Sequence, residues 1–141
     1  MEIKNTNSGR EAPDWRELFL ASLPREQITD KYLPRSDQLE VFLNGKNGKE
    51  YRINAEMHER YGFMALVQSF QHGKRANSKW EVYAGKGKLM VFNAYPIKDE
   101  LKKRGYRWNT AHKAWYREIP PSEVKMYITE IIDVLKLKGV I

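Results

Sequence analysis

Between Leu39 and Glu118 the chain keeps reversing at short loops rich in Gly, Asn and Lys, and this punctuation restricts the fold more than any other feature. Leu39-Glu40-Val41-Phe42-Leu43 and Lys49-Glu50-Tyr51-Arg52-Ile53 flank Asn44-Gly45-Lys46-Asn47-Gly48. The two Asn-Gly steps supply the positive φ that tight hairpins require. The pattern returns at Lys79-Trp80-Glu81-Val82-Tyr83, where Ala84-Gly85-Lys86-Gly87-Lys88 leads to Leu89-Met90-Val91-Phe92. A third hairpin is expected where Tyr106-Arg107-Trp108 and Ala114-Trp115-Tyr116-Arg117-Glu118 bracket Asn109-Thr110-Ala111-His112-Lys113.

Helical signals surround these hairpins. Asp14 is a suitable N-cap for a helix from Trp15 to Leu23, and Pro24 ends it. A second helix from Arg25 to Leu33, closed by Pro34, completes a helical pair over 15–33. Asn54 is read as the cap of a helix from Ala55 to Phe70 with a stripe of Met57, Tyr61, Met64, Ala65 and Phe70. Pro96 opens a lysine-rich helix that stops at Gly105, and Ser122 is read as the cap of a closing helix over 122–138. The expected architecture is one α+β domain over 13–141, with about six short antiparallel strands and three to four helices behind a polar N-terminal arm, 1–12. Its hairpin-helix units fall at 39–70 and 79–105, about 40 residues apart, which raises the question of an internal duplication.

Charge is unevenly placed. Residues 1–70 carry ten Lys/Arg against eleven Asp/Glu, and residues 71–141 carry fifteen against seven. Between Lys74 and Arg117, twelve basic residues face only Glu81, Asp99 and Glu100. A surface of that composition attracts polyanions through counterion release. Aromatic side chains are interleaved with the cations along Lys98-Asp99-Glu100-Leu101-Lys102-Lys103-Arg104-Gly105-Tyr106-Arg107-Trp108-Asn109 and Lys113-Ala114-Trp115-Tyr116-Arg117. Strand alternation puts Trp115 and Arg117 on one face and Tyr116 on the other. Rings beside cations are suited to stacking bases and tracking a phosphate backbone. The expected nucleic-acid contacts are Lys98, Lys102, Lys103, Arg104, Arg107, Lys113 and Arg117 for phosphates, with Tyr106, Trp108, Trp115 and Tyr116 for bases.

The spacing Lys-Asp-x-Leu-Lys-x-Arg-Gly-Tyr-Arg-Trp-Asn-x-x-x-Lys-x-Trp-Tyr, Lys98 to Tyr116, resembles the small C-terminal accessory module of some bacterial DEDD-type 3′–5′ exonucleases. More loosely, it resembles the HARP domain of annealing helicases. The resemblance spans about residues 89–135 and rests on Gly105, Trp108, Lys113 and Trp115. It implies an accessory, substrate-engaging role, and residues 1–70 have no counterpart in it.

Catalytic alternatives find little in the sequence. The Asp-x-Glu pair that a two-metal exonuclease needs is missing. Met57-His58-Glu59-Arg60-Tyr61-Gly62 is not His-Glu-x-x-His, and neither Gly-Lys loop has the phosphate-loop arrangement. Those loops remain candidates as basic hairpin tips touching a backbone. The absence of cysteine removes thiolate metal sites and thiol nucleophiles. No apolar run reaches the roughly 20 residues of a membrane span, so the expected location is the cytoplasm. The expected function is a non-catalytic module binding single-stranded or forked DNA beside a nuclease, helicase or polymerase, with no cofactor, metal or membrane partner. One alternative is a domain docking on an acidic protein. The other is a metal-dependent nuclease drawing carboxylates from Asp30, Asp37, Glu40, Glu50 and Glu56.

Overall fold

The computed structural model describes residues 14–35, 37–71 and 74–141; the expected arm at 1–12 lies outside them, as does His72. Helix α1 (Trp15–Ser22) starts at Asp14, whose carboxylate accepts from the Arg16 backbone N–H at 2.8 Å. A 3-10 turn, Arg25–Gln27, then leads into strand β1 (Ile28–Tyr32). Strands β2 (Gln38–Asn44), β3 (Glu50–His58), β4 (Gly62–Gln71), β5 (Lys74–Gly85) and β6 (Lys88–Val91) follow. A second 3-10 turn, Tyr95–Ile97, introduces α2 (Lys98–Lys103). Strands β7 (Arg107–Asn109) and β8 (Ala114–Glu118) precede α3 (Val124–Leu137).

All strands among the described residues join one antiparallel sheet of eight, ordered β1-β2-β3-β4-β5-β6-β8-β7. The expectation of about six short strands is therefore corrected: the molecule is mostly sheet, with three α-helices among the described residues. Two expected helices are strands instead. The helix expected at 55–70 is the end of β3 and most of β4, because a two-residue period outcompetes the helical stripe. Tyr51, Ile53 and Ala55, then Phe63, Ala65 and Val67, are buried alternately with exposed or half-buried neighbours. His58 closes the turn between them, its Nδ1 accepting from the N–H groups of Arg60 at 3.1 Å and Tyr61 at 3.3 Å. The second helix of the 15–33 pair is only the Arg25–Gln27 turn followed by β1, an edge strand whose polar residues face water. Ser122 does not cap α3; Glu123 occupies that position without a side-chain cap.

The same correction removes the duplicated unit. Asn54 lies inside β3, whereas Asn93 follows β6 in a left-handed conformation with φ 50°. Glu40 pairs with Arg52, while Glu81 sits at a bulge in β5 and is buried with Ser69 and Lys138.

The helices lie over one face of the sheet. Tyr127, Ile128, Ile131 and Leu135 of α3 and Phe19 of α1 meet Leu39, Val41, Ile53, Phe63, Val67, Leu89 and Val91 in one core. Each such side chain contributes about 1.5–3 kcal/mol by leaving water. The Tyr127 hydroxyl donates to the Ile119 carbonyl at 2.9 Å and accepts from the Gly87 N–H at 3.1 Å, tying α3 to the sheet. No helix is long and apolar enough to cross a membrane among the described residues. Strand register places the β2–β3 loop, the exit of β6 and the β7–β8 turn at one end of the sheet. The β3–β4 and β5–β6 turns lie at the other.

Candidate nucleic-acid interface

Gly105 begins the construction of the site. Its φ of 88° is reached without a Cβ penalty, and the next residue's N–H returns to the Leu101 carbonyl at 3.0 Å. This reversal ends α2 and delivers the chain into β7. Trp108 then stands directly opposite Trp115 of β8, their ring centroids 5.4 Å apart and inclined at 62°. Pairing of Trp115 with Val91 puts both indoles on the helix-bearing face, where Trp115 packs against the edge of the core.

There they wall an open groove of about 580 Å³ with Tyr95, Pro96, Asn93, Lys98 and Lys113 among its other linings. Tyr95 is 77% exposed and Trp108 50% exposed. Lys98 Nζ lies 5.0 Å from the Tyr95 ring centroid, and Lys102 Nζ lies 5.6 Å from that of Trp115. The one ion pair in this set is an exposed 3.5 Å contact of Lys98 with Asp99; Lys102 and Lys113 make none among the described residues. Surface pairs of that kind are worth little, so the groove keeps its positive field. Asn93 and Lys113, both lining the groove, hold positive φ, 50° and 54°. The Asn93 side chain donates to the Trp80 carbonyl at 3.2 Å, and the Asn109 carboxamide accepts from the His112 N–H at 2.9 Å. Left-handed backbone at non-glycine residues is costly and persists where surrounding bonds enforce it.

The remaining sequence-predicted residues separate into two groups. Arg104, Tyr106 and Arg117 turn towards α3. Arg104 donates to Asp133 at 2.7 Å and to Glu100 at 3.0 Å. The buried Tyr106 hydroxyl donates to Glu130 at 3.0 Å, and Arg117 pairs with the same carboxylate at 2.9 Å. Burial, then the Glu130 charge, pushes the Tyr106 phenol far above its ordinary value, so it remains a donor. These three side chains clamp α2, β8 and α3 together. Arg107 and Tyr116 lie on the other face of the sheet, the guanidinium 5.2 Å from the ring centroid. Lys103 is exposed and contacts Glu100 at 3.3 Å. The structure thus brings together Lys98, Lys102, Trp108, Lys113 and Trp115. It adds Tyr95, which sequence reading missed; the one signal nearby was the helix-opening Pro96, which shares the Tyr95–Ile97 turn with it.

The two Gly-Lys loops are at opposite ends of the sheet. Lys86 sits 5.0 Å from the Tyr61 ring centroid, away from the groove. The carboxylates of the nuclease alternative are scattered. Glu50 and Glu56 stand at opposite ends of β3, about 20 Å apart at 3.3 Å per residue. Glu40 is held by Arg52. Among the described residues no three of His, Cys, Asp and Glu come together as metal ligands. Compared with protein-family models, characterised proteins and solved structures, the chain finds no match.

Proposed function

We propose that this chain is a non-catalytic, cytoplasmic module that binds single-stranded or forked DNA and works beside a nuclease, helicase or polymerase. Bases stack on Trp108 and Tyr95, with Trp115 forming the floor, while Lys98, Lys102 and Lys113 neutralise phosphates. Support comes from one observation above all: exposed rings share one groove with lysines whose only ion pair among the described residues is the 3.5 Å surface contact of Lys98 with Asp99. The resemblance of Lys98–Tyr116 to an exonuclease accessory module points in the same direction. A groove lined by exposed ring faces suits unpaired bases better than a duplex, whose bases are already stacked.

The test is fluorescence polarisation with labelled single-stranded, duplex and forked oligonucleotides at two salt concentrations, with and without Mg²⁺. Single-stranded and forked forms are expected to bind more tightly than blunt duplex, more weakly at high salt, and to remain uncut. Replacing Lys98, Lys102 and Lys113 by Glu should abolish binding. Undiminished binding by that triple variant would refute the site.

A further inference from the structure

The Gly45–Lys49 loop, singled out by its composition, lies at the same end of the sheet as the groove. Beside it is a second recess of about 340 Å³, which shares Asn93 and Pro96 with the aromatic groove and also has Lys49, Lys79 and Lys138 in its lining. From this continuity we infer that a bound strand crosses the Asn93–Pro96 ridge and places a backbone phosphate between Lys49 and Lys79. The inference rests on the single-strand binding proposed above and extends it with a second subsite.

Charge inside the recess favours an anion. Its one carboxylate, Glu81, is already saturated: Oε1 accepts from Lys138 at 2.8 Å and Oε2 from the Ser69 hydroxyl at 2.6 Å. Lys138 is equally committed, donating also to the carbonyls of Phe92 at 2.7 Å and Asn93 at 3.2 Å. That buried pair fixes the end of α3 to the ridge, leaving the positive field to Lys49 and Lys79. Both are exposed, and neither has an ion-pair partner among the described residues. Lys79 stands opposite Ser69 in the sheet, on the face of the recess.

Lys49 is held by a loop that is fixed in place. The Gly45 N–H donates to the Lys49 carbonyl at 2.8 Å, and the Lys46 N–H to the Val140 carbonyl at 2.9 Å. The Asn47 carboxamide accepts from the Lys49 N–H at 3.1 Å and donates to the Tyr51 hydroxyl at 2.7 Å. A cation on a braced loop loses little freedom on meeting a phosphate, the general advantage of preorganisation.

Oligothymidylates from about two to about eight nucleotides, titrated against the full chain and a Lys49→Gln/Lys79→Gln variant, test this. Both positions are exposed, so thermal unfolding should be unchanged. The shortest oligomers should bind both proteins alike. For the longer ones the variant should bind more weakly, and its salt slope should be shallower by about 0.7, the contribution of one single-strand phosphate contact. Replacing one linkage by an uncharged methylphosphonate should weaken binding to the wild-type chain at one position of the oligomer and have no effect there on the variant. Equal affinities and slopes at every length, with Trp108→Ala still weakening binding, would overturn the second subsite alone. No binding by the wild-type chain at any length would overturn the single-strand proposal with it.

Discussion

Lys113 and Tyr106 illustrate how differently two residues of one short motif are used. Lys113 holds a left-handed backbone at the groove wall, whereas Tyr106 is buried against Glu130. Lys113→Gly should therefore relieve backbone strain, leaving stability unchanged or higher by up to about 1 kcal/mol, while weakening oligonucleotide binding. Tyr106→Phe should do the opposite, costing about 1–3 kcal/mol by removing a partly buried hydrogen bond to the Glu130 carboxylate, which Arg117 still pairs, with little change in intrinsic base stacking. Urea denaturation and polarisation titrations on the same two variants separate these outcomes. Trp108→Ala should weaken binding about 5- to 150-fold, about 1–3 kcal/mol, if one base stacks on the ring. In sequence these residues look equivalent, because aromatic and basic identities are visible but the partner across the fold is not. Nothing local to Arg104, Tyr106 or Arg117 announces Asp133 or Glu130, which arrive from a helix 13 or more residues further along the chain.

At the level of elements, α2 is too short to be stable by itself and is held by the Glu100–Arg104–Asp133 clamp. Hydrogen bonding from Arg104, then from Lys103, lowers the Glu100 carboxyl below the ordinary carboxylate range. A carboxylate depressed in the folded state stabilises fully above its unfolded value of about 4.3, and that contribution is lost as pH falls through the lower folded value. Urea midpoints of the wild-type chain and a Glu100→Gln variant should therefore differ at about pH 6 and converge as the pH falls through the lowered folded value. A gap that persisted in acid would remove the ionised carboxylate from the clamp. Gly45 makes a second element-scale test: a Cβ there would come within 2.7 Å of both Asn47 Oδ1 and Tyr51 Cε1. Gly45→Ala should loosen the β2–β3 loop, seen as faster amide exchange at Lys46 and Lys49. The three hairpins with Gly-, Asn- and Lys-containing loops, α1 with its Asp14 cap, α2 behind Pro96 and the body of α3, though not its cap, were legible from turn chemistry and apolar spacing. The β3–β4 hairpin was not. Met57, Tyr61, Met64, Ala65 and Phe70 also fit a helical stripe, and its turn is closed by His58 and Gly62 without an Asn-Gly signal.

Across the whole molecule, the basic excess of the second half is distributed by the fold over two faces and two ends of the sheet. Lys98, Lys102 and Lys113 surround the aromatic groove, Lys79 joins Lys49 of the first half at the adjoining recess, and Lys86 lies at the far end. Sequence alone located the charge but could not say which cations share a surface, because that depends on strand order and on which way α3 closes. The most direct measurement follows the four indole N–H resonances in a ¹H–¹⁵N spectrum as a single-stranded oligothymidylate is added. Trp15 packs edge-on against Phe63 and Trp80 stacks on Tyr83 on the opposite face, so both are internal references. The expected result is a large, salt-sensitive shift of Trp108, a smaller one of Trp115, and stationary signals for Trp15 and Trp80. A titration that moves Trp80 while Trp108 stays fixed, or that moves none of the four, would contradict a nucleic-acid strand in this groove.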